Sequence, residues 1–117
     1  MNFQQDCQTL LDHYVARYRK GDAKGCAAIY AVDAALYSPY GPPVFGRDAI
    51  EKVHADWVRE GAENKKITVS DAGQSGDLGW CIAHFSEGTT GTGTSLNVLM
   101  RQPDGRWEIT QCSLNEA

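Results

Sequence analysis

Three side chains in this sequence have the types needed to act on one small molecule: the phenol of Tyr14, the amide of Asn97 and the imidazole of His84. A phenol and an amide donate hydrogen bonds to a carbonyl or enolate oxygen, and an imidazole exchanges a proton near pH 7. Together they are suited to acid–base chemistry on a carbonyl compound. His84, Tyr14 and Asn97 are therefore the candidate catalytic residues.

Each of the three also has a structural interpretation. Tyr14 lies on the apolar stripe of a predicted helix, where a core tyrosine can satisfy its hydroxyl on Tyr30 or His54. Asn97 lies in a predicted strand, where a buried amide is costly if unpaired, so it contacts a ligand or makes a structural hydrogen bond. A single strand histidine such as His84 is often structural. The sequence leaves these alternatives open.

The elements that must position these side chains are three helices and a run of strands. Apolar residues recur at three- and four-residue steps over residues 3–19 and 46–60, which predicts two amphipathic helices, the second closed by Gly61. Asp22 is placed to cap a short helix between them. Alternation or β-rich composition predicts strands at 34–37, 67–72, 78–86, 94–101 and 107–114.

Two further segments are predicted as connections. Gly41-Pro42-Pro43 is expected to be a stiff loop without ladder donors. The GTTGTG segment at 88–93 is expected to be a hairpin tip, because it lacks the Gly-Lys-Ser/Thr ending of a phosphate loop. The whole chain, residues 1–117, is then one α+β domain in which helices cover one face of a curved antiparallel or mixed sheet.

Alternation also assigns side chains to the two faces of the sheet. Trp80, Ile82 and His84 share one face of their strand, Asn97 and Leu99 share one face of the next, and we predict that both faces line an apolar cavity. The other predicted ligand contacts are Tyr30, Ser38, Tyr40, His54 and Trp57. The opposite sheet face is predicted to be apolar and to form a homodimer; it comprises Leu96, Val98, Met100, Cys112 and Leu114.

Composition narrows the class of partner. The net charge of −4 argues against nucleic acid, and no apolar run approaches the roughly 18 residues of a membrane span. The first ten residues lack a secretory pattern, so we expect a cytoplasmic protein.

The four cysteines lack the close paired spacing of a metal site, so we expect them to be reduced and expect no bound metal. We also expect no cofactor. Lys65 and Lys66 are interpreted as a solvated strand end.

The order of these features resembles the nuclear transport factor 2 superfamily. It comprises a helix, Gly21-Asp22, a short helix, a strand ending at Pro39, a helix that begins Gly-x-x-Ala-Ile, and four strands. The superfamily includes ketosteroid isomerases, SnoaL-like polyketide cyclases and scytalone dehydratase. The resemblance implies a cone-like half-barrel closed by three N-terminal helices, a hydrophobic or aromatic ligand, and a homodimer.

Within that superfamily, the positions are most similar to those of ketosteroid isomerase. The resemblance implies that Tyr14 and Asn97 are the oxyanion donors and that Tyr30 and His54 support Tyr14. Other residues fall on its apolar and aromatic pocket positions: Trp80, Ile82 and His84.

The chain departs from that pattern at Ser38, which occupies the position of the general-base carboxylate. A serine hydroxyl with no base beside it cannot carry a proton near neutral pH, so ketosteroid isomerase activity is not expected. We expect a binding domain for a carbonyl-containing hydrophobic molecule, with isomerase-, cyclase- or dehydratase-type conversion in its catalytic version. The alternative is a non-catalytic ligand-binding or homodimerisation module.

Overall fold

The computed structural model of the chain describes residues 2–59, 62–87 and 91–116. Its helices are α1 (Phe3–Arg19), α2 (Ala23–Ala27) and α3 (Arg47–Trp57), with a 3-10 turn at Ala62–Asn64. Its strands are β1 (Tyr30–Ser38), β2 (Gly41–Phe45), β3 (Lys65–Ser75), β4 (Leu78–Glu87), β5 (Thr92–Arg101) and β6 (Trp107–Glu116).

The strands form one curved mixed sheet in the order β2-β1-β6-β5-β4-β3. Neighbouring strands are antiparallel except β1 and β6, which run parallel. The helices pack on the concave face, and the core lies between the two layers. The predicted α+β class is confirmed. None of the helices in the described part of the chain has the length and hydropathy of a membrane span.

Local capping explains the predicted ends of α1 and α2, whereas α3 ends at Trp57, before the predicted end at residue 60. Asn2 accepts a hydrogen bond from the Gln5 amide at 2.8 Å at the start of α1, and Gly21 follows α1 with a φ of +72°, a conformation that suits glycine. Asp22 accepts from the Gly25 amide at 2.9 Å and caps α2. The predicted closing residue of α3, Gly61, lies outside the described residues, as do residues 88–90 of the GTTGTG segment.

The prediction of a loop at Gly41-Pro42-Pro43 was wrong. These residues begin β2, which pairs with β1 through Ala35 opposite Phe45 and Leu36 opposite Val44. Proline is tolerated there because β2 is the edge strand of the sheet, where a missing N–H does not interrupt a ladder on both sides.

Candidate functional site

A cavity of about 420 Å³ lies between the helices and the concave face of the sheet. Its aromatic walls come from Tyr14, Tyr18, Tyr30, Tyr40 and Trp57. Aliphatic side chains and one phenylalanine complete the apolar lining: Leu11, Ile29, Ile67, Phe85 and Leu114. A largely apolar concave site of a few hundred Å³ is typical of small-molecule binding.

Tyr14 and His54 form a buried hydrogen-bonded pair beside this cavity. The Nδ1 atom of His54 lies 2.8 Å from the carbonyl oxygen of Ile50, and its Nε2 atom lies 2.8 Å from the Tyr14 hydroxyl. A carbonyl can only accept, so Nδ1 carries the hydrogen of the neutral ring and Nε2 accepts from Tyr14. Burial lowers the pKa of His54 to about 4, which keeps the ring neutral at pH 7.

This pairing determines what Tyr14 can offer to a ligand. A phenol has one hydrogen, and Tyr14 donates it to His54. Burial raises the pKa of Tyr14 well above its ordinary value, so the hydroxyl also stays protonated. The geometry matches the structural alternative for Tyr14, in which His54 satisfies the hydroxyl, and leaves no second Tyr14 hydrogen for an oxyanion.

Asn97 and Ser95 form a polar pair in the sheet wall of the cavity. Asn97 is 2% exposed, and its Nδ2 donates to Ser95 Oγ at 3.0 Å and to Cys81 Sγ at 3.8 Å. Both Ser95 and Asn97 line the cavity, and accepting from Asn97 does not use the hydrogen of the Ser95 hydroxyl. This pair can therefore give a ligand oxygen a hydrogen bond in a mostly apolar wall.

A second polar group lies in the cavity wall where the first residue of β3 pairs with the last residue of β4. Lys65 pairs in register with Glu87, and its Nζ lies 3.0 Å from Glu87 Oε1. The Tyr18 hydroxyl lies 3.1 Å from the same oxygen and 3.2 Å from the carbonyl oxygen of Trp57, and its single hydrogen can be donated to either. Lys65 Nζ also lies 4.5 Å from the ring centroid of Tyr18 and 4.9 Å from that of Phe85, which adds cation–π attraction.

Burial of Lys65 corrects the interpretation of Lys65 and Lys66 as a solvated strand end. Lys65 is 7% exposed, whereas Lys66 is exposed. The alternation of side chains along the strand could have predicted this burial, because Lys65 shares a strand face with Ile67 and Val69, which are apolar and directed toward the core.

The SnoaL-like domain family matches residues 11–112 of this chain. The chain belongs to the SnoaL-like domain family. The resemblance to the nuclear transport factor 2 superfamily is thereby confirmed, and solved structures of that superfamily share the fold. A search of curated protein sequences finds no match.

Three solved structures illustrate the similarity of this SnoaL-like domain to known folds. A ketosteroid isomerase-like protein from Erwinia carotovora atroseptica is 16% identical, with a TM-score of 0.74 over 93% of this chain and 92% of that one. An NTF-2 like protein of unknown function from Shewanella oneidensis is 18% identical (TM-score 0.77; 94% and 96% covered). ActVI-ORFA from Streptomyces coelicolor is 16% identical (TM-score 0.69; 96% and 95% covered). At these identities the likeness shows the fold alone.

In this SnoaL-like domain, three predicted cavity residues lie on the wrong side of the sheet. His84 and Trp80 are exposed on the convex face, and Ile82 is partly buried there. The residues of β4 that face the helices are Cys81, Ala83 and Phe85. β4 is apolar on both faces, so alternation alone does not identify the face that packs on the helices. The face with the larger side chains of Trp80 and Ile82 was therefore wrongly predicted to be the inner one. His84 cannot reach the cavity through the sheet.

The prediction for the outer sheet face was right for β5 and wrong for β6. Leu96 and Met100 are exposed on the convex face, and Val98 is partly buried there. Cys112 and Leu114 instead line the cavity.

Burial raises the pKa of the Cys112 thiol to about 12. All four cysteines are buried and unpaired, as expected.

The remaining predicted ligand contacts lie at three different places. Tyr40 and Trp57 line the cavity with ring centroids 6.0 Å apart. Leu99 faces inward but is buried in the core, 1% exposed. Ser38 has a turn role, since its hydroxyl accepts from the Tyr40 amide at 3.3 Å. Ser38 therefore supplies neither a carboxylate nor an activated hydroxyl.

Proposed function

We propose that this SnoaL-like domain binds a small hydrophobic or aromatic molecule that carries an oxygen. The observation that carries the proposal is the 420 Å³ cavity with aromatic walls and the Ser95–Asn97 pair in its sheet wall. Protein interiors rarely keep voids much larger than a water molecule, so a largely apolar cavity of this volume with polar groups in its wall suits an organic ligand.

Proton-transfer chemistry is not part of this proposal. An isomerase-, cyclase- or dehydratase-type conversion needs a group that exchanges a proton at the cavity. His84 lies on the other face of the sheet, and His54 is held neutral between Tyr14 and Ile50. Neither histidine therefore exchanges a proton at the cavity, and the cavity is proposed as a binding site.

Ligand binding is tested by a thermal shift with 2-naphthol. At 100 times its dissociation constant a ligand adds about 2.7 kcal/mol, which raises the melting temperature of a domain of this size by roughly 10 °C. We expect this shift in the wild type and in His84→Gln, which alters only the convex face. We expect Asn97→Leu, which keeps the volume and removes the amide, to shrink it by half or more. Equal shifts in Asn97→Leu and the wild type would contradict the proposed site.

A second proposed function, homodimerisation, is supported by an apolar patch on the convex face. Three cross-strand pairs of β4 and β5 build it: Leu78 with Met100, Trp80 with Val98, and Ile82 with Leu96. Leu78, Leu96 and Met100 are 51%, 44% and 46% exposed. Contiguous exposed apolar surface of this kind is a mark of protein–protein contact.

The homodimer is tested by sedimentation at micromolar concentration. We expect the wild type to sediment at twice the 12.8 kDa chain mass and Leu96→Glu at the chain mass itself, because a carboxylate in an apolar interface loses its hydration. Val32→Glu is the matched control, since Val32 is 71% exposed on β1, away from the patch, and should stay dimeric. A monomeric wild type would overturn this proposal.

A further inference from the structure

Lys65 places an ammonium group against the space that a ligand would occupy. Its side chain is 9% exposed and lines the cavity, whereas its neighbour Lys66 is exposed. A lysine is rarely buried to this degree, because its flexible stem normally carries the ammonium out to water. The buried position of Lys65 therefore points to a role inside the cavity.

The ammonium of Lys65 is held in place from several sides. Its Nζ lies 3.0 Å from Glu87 Oε1, 4.5 Å from the ring centroid of Tyr18 and 4.9 Å from that of Phe85. The backbone is fixed as well, since the Lys65 carbonyl accepts from Arg19 Nε at 2.9 Å. A side chain that is already ordered loses little further freedom when a ligand binds, which favours affinity.

This ammonium can donate more hydrogen bonds than its neighbours accept. It has three N–H donors, and within the part of the chain that the structure describes the oxygen that accepts from it is Glu87 Oε1. The rings of Tyr18 and Phe85 attract the charge through their faces, but an oxygen is the stronger partner for an N–H donor. Lys65 can therefore donate to an oxygen of a molecule in the cavity.

The surroundings of Lys65 restrict the kind of oxygen that fits. An anionic ligand group at Nζ would lie within a few ångströms of the Glu87 carboxylate and be repelled by it. A hydroxyl would bring a hydrogen that needs an acceptor in the same wall. A carbonyl oxygen has no net charge and no hydrogen, and it accepts a charge-assisted bond from an ammonium. The rings of Tyr18 and Phe85 favour a carbonyl attached to an aromatic system.

Lys65 and the Ser95–Asn97 pair lie at different places along the cavity wall. Lys65 is opposite Glu87 on β4, and Ser95 is opposite Ala83 on the same strand. Glu87 and Ala83 are separated by roughly 13 Å of strand, at about 3.3 Å per residue. This separation leaves room for an aromatic frame between two ligand oxygens.

We propose that Lys65 is the binding residue for a carbonyl oxygen of the ligand, so that the cavity selects aromatic carbonyl compounds. This inference rests on the proposed binding function of the cavity. The Ser95–Asn97 pair then binds a second oxygen at the other end of the same molecule.

The test compares 6-acetyl-2-naphthol with 6-isopropenyl-2-naphthol, in which a methylene group replaces the carbonyl oxygen and the shape is kept. Isothermal titration gives the two dissociation constants, and their ratio measures the preference for the carbonyl oxygen. We expect Lys65→Met to lower this preference at least about tenfold relative to the wild type, because a hydrogen bond from a charged donor is lost. Lys66→Met is the matched control, since it removes the adjacent exposed lysine and should keep the wild-type preference.

The outcomes separate this inference from the proposed function. A preference that is the same in Lys65→Met and the wild type, or that falls equally in Lys66→Met, overturns the role of Lys65 and leaves the binding function intact. Absence of binding by both compounds overturns the binding function and the role of Lys65 with it.

A second measurement on the wild type guards against a Lys65→Met variant that fails to fold. In the complex with 6-acetyl-2-naphthol, a nuclear Overhauser contact is expected between the acetyl methyl group and the ε-methylene group of Lys65. A complex that forms without this contact overturns the assignment of the carbonyl to Lys65.

Discussion

Lys65→Met is expected to lower the free energy of unfolding by about 3 kcal/mol, because it removes the ammonium that lies 3.0 Å from the Glu87 carboxylate in a mostly apolar wall. Glu87→Leu is expected to cost a similar amount, since the ammonium of Lys65 would then be held against the rings of Tyr18 and Phe85 without its counter-charge. Urea denaturation of each single variant measures these losses.

The double variant Lys65→Met/Glu87→Leu is expected to lose clearly less than the sum of the two single losses, because removing both ions together leaves neither of them facing the other's empty position. Arg101→Met is the matched single control. It breaks an exposed pair with Asp77, whose side chain is 73% exposed, and should cost less than about 1 kcal/mol. Losses that simply add in the double variant would show that the two charges do not act as a pair.

His54 is expected to make stability strongly dependent on pH. Its pKa is about 4 in the folded chain, against about 6.5 in the unfolded one, so the unfolded state takes up a proton first as the pH falls. The stability associated with the neutral ring is fully present above pH 6.5 and is lost as the pH falls toward 4. A shift of this size corresponds to about 3 kcal/mol.

The physical origin of the low pKa lies in the surroundings of His54. Burial is the largest cause, and the charge of Lys65 acts in the same direction, whereas the hydrogen bond to Ile50 opposes both. Two tyrosines with raised pKa values, Tyr14 and Tyr30, also pack against the imidazole, and neither supplies a negative charge to stabilise an imidazolium.

The pH effect is measured by comparing the wild type with His54→Gln in urea at pH 7 and pH 4. The advantage of the wild type over the variant is expected to shrink by about 3 kcal/mol at the lower pH. His13→Gln, at an exposed position of α1, should follow the wild type. An NMR titration that placed the pKa of His54 near 6.5 would contradict the account.

The helix ends and side-chain directions that were predicted correctly depend on residues only a few positions apart in the sequence. Asp22 and Gly21 mark the helix ends through local backbone hydrogen bonding and a single dihedral angle. The apolar stripe of α1 predicted that Tyr14 faces the core. The structural interpretation of Tyr14 predicted that Tyr30 or His54 would satisfy its hydroxyl, and His54 does. The face of Asn97 also followed from alternation along one strand.

The features that the sequence missed depend on residues distant in the chain. The inner face of β4 is set by its fit to the helices, where small Cys81 and Ala83 pack, and not by the hydrophobicity of Trp80. Lys65 is buried because its register partner, 22 residues along the chain, is Glu87. Pro42 belongs to a strand because the final sheet order makes β2 an edge.

Chemical-shift perturbation with 2-naphthol on the ¹⁵N-labelled protein tests the central claim most directly, because it shows on which side of the sheet the ligand binds. We predict that the amides of Ser95, Asn97 and Cys112 shift with saturation, while those of Trp80 and Met100 do not. Saturable shifts confined to the convex face, or no saturable shifts at all, would contradict a ligand-binding cavity on the concave side.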